Sequence, residues 1–366
     1  MFAPVRSVVV KLGTQLLTQK DGRLDAPFLA TIAQQIAALR QRGLSVTIVS
    51  SGAIGAGLAE LNLPSRPKDL ASLQAVAAVG QRRLMDTWAN AFEPAGIPVA
   101  QLLLTREDVD NRTRFLNVRN TIHAVHALGA VPIINENDTI STDELVRISF
   151  GDNDVLAALV CGALQADLLV LLTVVDGLLD ANGQSVRWVT NLDEAQQLVR
   201  AEKSDLGKGG MSSKLLAART VTDAGEMLVV ADGRMNDVLP RLVNGEMIGT
   251  LFAPANRKRS GRSRWIGVAR AAGAITIDAG AVTALIDKHR SLLPAGITRV
   301  SGSFQRGDVV SIVSPEGVEI ARGLSNYAAS DIARIQGRKT VEVRAMLAEA
   351  AYDEVVHRDN LVVTSA

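Results

Sequence analysis

Short, wholly apolar runs alternate with stretches of helical period along the first two thirds of the chain. "VRSVVVKLG" (5–13) reads as a buried strand ending in Lys-x-Gly. Asp25 then caps a helix with apolar positions Phe28, Ile32, Ile36 and Leu39, stopped by Gly43. "LSVTIVS" (44–50) follows as a second buried strand. Strand, helix and strand at these lengths form a βαβ unit with parallel strands. The alternation continues with a helix from Asp69 to about Phe92, a strand at 97–104, and a helix from about Thr113 to Leu128 that ends at Gly129. "VPIIN" (131–135), "DLLVLLT" (167–173) and "EMLVVA" (226–231) are further strands, and helical segments at 153–165, 192–202 and 211–224 lie between them. The pattern predicts a three-layer α/β domain over 1–256. In such sheets, ligands bind at the carboxyl ends of the strands.

The texture then changes. "RKRSGRSR" (257–264) is basic and polar, so a linker is expected over 257–273. "GAITID", "TRVSGSF", "DVVSIVS" and "EIARGLS" are short runs separated by turn signals. They predict a small β-rich domain over 274–355, with a tail at 356–366.

Composition narrows the class. Hydrophobic residues make up 47% of the 366 positions and aromatics 3%, so Ala, Val, Leu and Ile must fill a large core. A net charge of +1 argues against a surface given over to nucleic acid. Cys161 alone cannot make an intrachain disulfide, which fits a reducing cytoplasm. The N-terminus lacks a signal-peptide pattern, and no apolar run reaches membrane-spanning length. A cytoplasmic protein without a membrane segment is expected.

Unusual residues follow the strands. Lys11 stands at the mouth of the first strand, as a placed charge or as an ordinary snorkelling lysine. "SSGAIGAG" (50–57) follows the second, where small residues admit either a ligand or a closely packed helix. Glu136-Asn137-Asp138 and Gly151-Asp152-Asn153-Asp154 group carboxylates and amides. Such groups can grip an ammonium, order lysines or help hold a hydrated metal. The plainer alternative is an Asx turn with Asp152 as a helix cap. "GKGGMSSK" (207–214) misses the P-loop pattern but precedes a helix, so its backbone N–H groups and Lys214 can face an anion. Two lysines and two glycine-rich anion sites at strand ends suit phosphoryl transfer between two anionic reactants. His123, His126, His289 and His357 sit in no motif and read as surface residues.

Taken together, "VVVKLGTQLLT", "IVSSGAIGAG", "AAVGQRRLMDTW", "LLLTREDVDNRTRFLNVRNT", "VPIINENDT", "GDND", "GKGGMSSKLLAA" and "SLLPAGI" resemble the glutamate 5-kinases of the amino acid kinase superfamily. The resemblance implies ATP-dependent phosphorylation of L-glutamate to L-glutamyl 5-phosphate with Mg2+, the first step of proline biosynthesis. It implies an α/β/α sandwich with a mainly parallel sheet of about eight strands, and a C-terminal PUA domain. Position by position, Lys11 and Lys214 match the lysines that neutralise the transferring group. Asp154 matches the aspartate that orders them, with Asp152 beside it. Ser51, Asp138 and Asn153 match the glutamate contacts, with Gly52 and Ala53 lending backbone. Gly13, Thr173, Val174 and the run Lys208, Gly209, Gly210, Met211, Ser212, Ser213 and Lys214 match the nucleotide side; no protein metal ligand is assigned.

Two departures stand out. Val174 replaces the family's usual aspartate, so any contact there must be made by backbone. The stretch from Asp138 to Asp152 is slightly longer than usual. The resemblance further implies proline as feedback inhibitor, a homo-oligomer and a glutamyl phosphate reductase as partner. The alternatives are a superfamily kinase with another substrate and an RNA-binding protein acting through the PUA-like domain and the basic stretch.

Overall fold

The computed structural model describes residues 5–19, 21–140, 153–180, 182–201, 210–254, 260–346 and 352–364. It divides into two compact units, at 1–258 and 259–366.

The first unit is built on an eight-stranded sheet. In chain order the elements are β1 (Ser7–Leu12), α1 (Thr14–Leu17), α2 (Ala26–Gln41), β2 (Ser45–Val49), α3 (Ala53–Glu60), α4 (Leu70–Phe92), β3 (Val99–Leu104), α5 (Arg106–Asp110), α6 (Arg112–Ala127) and β4 (Val131–Glu136). They continue with α7 (Asn153–Leu164), β5 (Leu168–Thr173), β6 (Leu178–Leu179), β7 (Ser185–Val186), β8 (Trp188–Val189), α8 (Leu192–Ala201), α9 (Gly210–Ala224), β9 (Met227–Asp232), α10 (Val238–Val243) and β10 (Thr250–Phe252). The strand order is β3-β4-β2-β1-β5-β9-β10-β8. Strands β3, β4, β2, β1, β5 and β9 are mutually parallel, β10 turns antiparallel to β9, and β8 runs parallel to β10.

The sheet is covered on both faces, which is why β1 and β5 read as unbroken apolar runs rather than alternating ones. Helix α2 packs on α4 and α10, whereas α7 packs on α6 and α9. The expected caps are present: Asp25 accepts from the Phe28 N–H at 3.2 Å and Asp69 from the Ser72 N–H at 2.9 Å. From β1 the chain moves to β2 on one side, and β5 later returns on the other. That reversal opens a crevice at the carboxyl ends of β1 and β5.

One close contact governs where α4 lies. A Cβ on Gly80 would stand 1.8 Å from the Ala53 carbonyl oxygen, and one on Gly57 would stand 2.0 Å from that of Val76. Only glycine at both positions lets α3 and α4 touch backbone to backbone.

Two expectations meet a different structure. Residues Gly261–Val268, inside the segment expected as a linker, form helix α11. The Ser260 hydroxyl caps it at 3.2 Å from the Ser263 N–H, and Trp265 and Ile266 are buried. The apolar pair and the cap outweigh the basic texture of the surrounding residues. His126 is not a solvated surface histidine either. It is half-buried with its Nε2 2.9 Å from the Thr47 hydroxyl on β2.

The second unit continues with β11 (Gly273–Ile277), α12 (Ala279–Ile286), β12 (Ile297–Gly302), β13 (Val309–Val313), β14 (Glu319–Leu324), α13 (Ala329–Ile335), α14 (Thr340–Met346) and β15 (Leu361–Val363). The five strands form a second sheet in the order β12-β11-β13-β14-β15. Ile275, Phe304, Val310, Ile312, Ile332 and Val356 lie in its core. The segment expected as a tail thus supplies β15, paired with β14.

Replacing Gly80 by Ala is expected to destabilise the first unit by about 1–3 kcal/mol or more through overpacking against backbone, read as a lowered midpoint of urea unfolding. An unchanged midpoint would contradict the contact. Burial, with Arg40 and His123 nearby, holds the His126 pKa at about 4, below its unfolded value. The unfolded chain therefore binds the proton first, and this contribution is complete above about pH 6.5 and is lost as pH falls toward 4. His126→Gln is expected to flatten the decline of Tm between pH 7 and pH 5; an unaltered slope would contradict it.

Candidate active site

Three charged side chains meet at the crevice. The Asp154 carboxylate is fully buried at the start of α7, where free helix N–H groups favour negative charge. Lys11 Nζ lies 2.6 Å from its Oδ1, and Lys214 Nζ lies 3.0 Å from its Oδ2. The Ser213 hydroxyl donates to the same Oδ2 at 3.1 Å. Lys11 and Lys214 are only 2% and 9% exposed, so their repulsion would be poorly screened without the carboxylate.

Each lysine arrives for a separate reason. Lys11 is the penultimate residue of β1, hydrogen-bonded in register between β2 and β5. Lys214 is the fifth residue of α9, whose described part begins at Gly210. Helical side chains point toward the N-terminus, and its ammonium reaches back to Asp154 and to the Gly210 carbonyl oxygen at 3.0 Å. The Ser213 hydroxyl is also 3.1 Å from that carbonyl. Two donors thus crowd the opening turn of α9, at the end where its dipole is positive.

A second, neutral cluster lies at the ends of β2 and β4. Asn153 Nδ2 donates to the Ser50 carbonyl at 2.5 Å, to the Ser51 hydroxyl at 3.0 Å and to Asn135 Oδ1 at 2.9 Å. Asn135 Nδ2 in turn donates to Gln81 Oε1 at 2.7 Å, and Trp88 Nε1 donates to the Ser50 hydroxyl at 3.2 Å. Gly52, at φ 94°, occupies the left-handed region and turns the chain sharply from Ser51 into α3, leaving Ala53 buried as the first helical residue.

Asp138 is half-buried in the turn after β4. Thr173 ends β5, and Val174 beyond it is 37% exposed. The Gly13 N–H is already donated to the Leu172 carbonyl at 3.1 Å, so it ties β1 to β5 instead of lying free for a phosphate. Met211 is half-buried and Ser212 exposed on the first turn of α9. Asp152, Lys208 and Gly209 lie outside the described residues. Among the described residues, no three His, Cys, Asp or Glu side chains cluster as a metal cage.

The amino acid kinase family model matches residues 6–232, and the PUA domain model matches 273–347. A glutamate 5-kinase of Citrifermentans bemidjiense is 43% identical over 371 residues, 99% of either chain. One of Trichormus variabilis is 44% identical over 370 residues, 98% of this chain and 100% of its own. The chain belongs to the glutamate 5-kinase family of amino acid kinases. Carbamate kinase from Giardia lamblia bound to AMP-PNP is similar in fold, with a TM-score of 0.51 at 17% identity, covering 69% of this chain and 99% of that one.

Asp176, two residues beyond Val174, is engaged within the fold. Its Oδ2 accepts from Arg187 at 2.8 Å and from Ser185 at 3.2 Å, and its Oδ1 from the Gly249 N–H at 3.1 Å. These bonds bind the β6–β7 hairpin region to the loop before β10. Sequence reasoning missed Gln81, Trp88 and Asn135. Gln81 carried a signal, since it interrupts the apolar stripe Ala77, Leu84 and Trp88 at helical spacing.

Asp154→Asn would leave two buried ammonium groups facing one another. It is expected to cost about 3–5 kcal/mol of stability, read by denaturant unfolding. A stability equal to the parent's would show that the lysines find other partners at no cost.

Proposed function

We propose that the chain transfers the γ-phosphoryl group of ATP to the side-chain carboxylate of L-glutamate, giving L-glutamyl 5-phosphate and ADP. The observation that carries this reading is full-length similarity to glutamate 5-kinases, at 43–44% identity. Two ammonium groups sharing one carboxylate at the carboxyl end of the sheet are the chemistry such a transfer needs.

The acceptor carboxylate has a reference pKa near 4.3 and is ionised at neutral pH, so no general base is required. One of its oxygens forms a bond to the γ-phosphorus as the bond from phosphorus to the bridging oxygen breaks, and that oxygen leaves on ADP. The obstacle is charge, because an anion must approach a polyanion. Lys11 and Lys214 carry two positive charges against the one negative charge of Asp154. The triad therefore presents a surplus positive charge, in a fixed geometry, to the oxygens of the transferring group. Asp154 acts by holding both amines, and Ser213 shares that task. The start of α9 lies toward the nucleotide phosphates. Ser51, Asn153 and Asp138 lie toward glutamate, where a hydroxyl, an amide and a carboxylate suit the polar ends of an amino acid.

A Mg2+ ion would arrive bound to the nucleotide phosphates. Such an ion needs few protein ligands, because phosphate oxygens and water complete its shell. It would add charge neutralisation to that of the lysines. Likeness to the glutamate 5-kinases implies a place at the head of proline synthesis in the cytoplasm, a reductase to consume the acyl phosphate, and proline as regulator. A homo-oligomer is part of the same reading. The PUA unit does not redirect the reading toward RNA, since the kinase relatives match along the full chain.

Coupled measurement of ADP release is expected to respond to L-glutamate but not to carbamate, aspartate or N-acetylglutamate. In the same assay Lys214→Ala is expected to lower kcat by roughly a hundredfold or more with the fold intact, because Lys11 still pairs with Asp154. Turnover without glutamate dependence, or a folded Lys214→Ala variant with parental kcat, would overturn the reading.

A further inference from the structure

We infer that Gln81 is a positioning residue for the amino acid substrate, acting at a distance through Asn135 and Asn153. The inference rests on the proposed substrate side of the site. Its evidence is the polarity of a buried amide relay. Gln81 and Asn135 are 6% and 2% exposed, and neither sits in the phosphoryl-transfer triad.

A carboxamide has one donating and one accepting end, so each member of a chain of amides fixes its neighbour. The Ser50 carbonyl can only accept. It therefore turns the NH2 of Asn153 toward itself, at 2.5 Å. The same NH2 faces Asn135, which must answer with its oxygen, at 2.9 Å. Asn135 is thereby left with its NH2 pointing away into the core, and only an acceptor can meet it there. Gln81 Oε1 is that acceptor, at 2.7 Å. The relay leaves the carbonyl Oδ1 of Asn153 on the side opposite these partners, as an acceptor suited to the ammonium of an amino acid.

Helix α4 is placed to make this contact. Trp88, seven residues and two turns beyond Gln81 on the same face, holds the Ser50 hydroxyl at 3.2 Å. Gly80, immediately before Gln81, is the position where α4 meets the Ala53 carbonyl too closely for any side chain. The helix thus clamps the Ser50–Ser51 turn directly and orients Asn153 through Asn135. It joins elements on the two faces of the sheet, α4 and α7, through the end of β4.

Without the Gln81 oxygen, the buried Asn135 NH2 loses its acceptor, and Asn135 gains reason to rotate away from Asn153. The test is steady-state kinetics of the full chain. Gln81→Met is expected to raise the KM for glutamate about tenfold, with kcat at saturating glutamate and the KM for ATP within about twofold of the parent. Gln81→Asn withdraws the acceptor by one methylene while keeping a polar group, and is expected to show a smaller loss of the same kind. In an Asn135→Ala background, Gln81→Met is expected to change the glutamate KM no further. Folded Gln81 variants with a parental glutamate KM, or a kcat falling in step with stability, would overturn the inference. So would full additivity with Asn135→Ala. Absence of glutamate-dependent turnover in the parent would instead remove the underlying reading.

Discussion

Two buried ammonium groups cannot share a crevice unless something negative holds them together, and in this protein that is Asp154. Its two oxygens are divided between Lys11 and Lys214, at 2.6 and 3.0 Å. The desolvation of three charges makes such a triad a poor device for stability. It makes sense as a device for chemistry, because it stores a surplus positive charge at a fixed place before any anion arrives. Phosphoryl transfer between two anions demands such preorganised charge above all else.

The rest of the first unit supplies the positions. Parallel pairing places Lys11 at the end of β1 between two neighbours, and the switch in strand order opens space above it. Helix α7 brings Asp154 and Asn153 together at its N-terminus, so adjacent residues serve the charged and the neutral halves of the site. The glycine contact between α3 and α4 fixes α4 against the start of α3, where Trp88 reaches the Ser50 hydroxyl. A core of Val, Leu and Ile holds these elements to their distances by close packing.

Much of this was legible in the sequence because the physical signals are local. Wholly apolar runs bounded by polar turns gave the parallel strands, and Asp25 and Asp69 announced their helices. Lys11 and Lys214 were legible because each lies beside a structural boundary, the end of a strand or the start of a helix, where side chains can face a ligand. That both would settle on Asp154 could not be read from spacing, since the contacts join residues far apart in the chain; the family resemblance alone suggested it. Helix α11 escaped because arginines and serines surround the one apolar pair that anchors it. Gln81 and Asn135 escaped because a polar residue in an apolar stripe reveals its purpose only when its partner is seen. The use of the Gly13 N–H within the sheet was likewise invisible, for a glycine beside a lysine reads equally well as a ligand contact.

The central claim is that Lys11 and Lys214 act on one group at one moment. A crystal structure with ADP, aluminium fluoride, magnesium and L-glutamate would test it most directly. The account predicts both ammonium nitrogens within about 3 Å of the fluoride mimic of the transferring group or of the oxygens flanking it, with Asp154 still bridging them. A complex in which either lysine turns to another partner, or in which the mimic binds away from the pair, would contradict it.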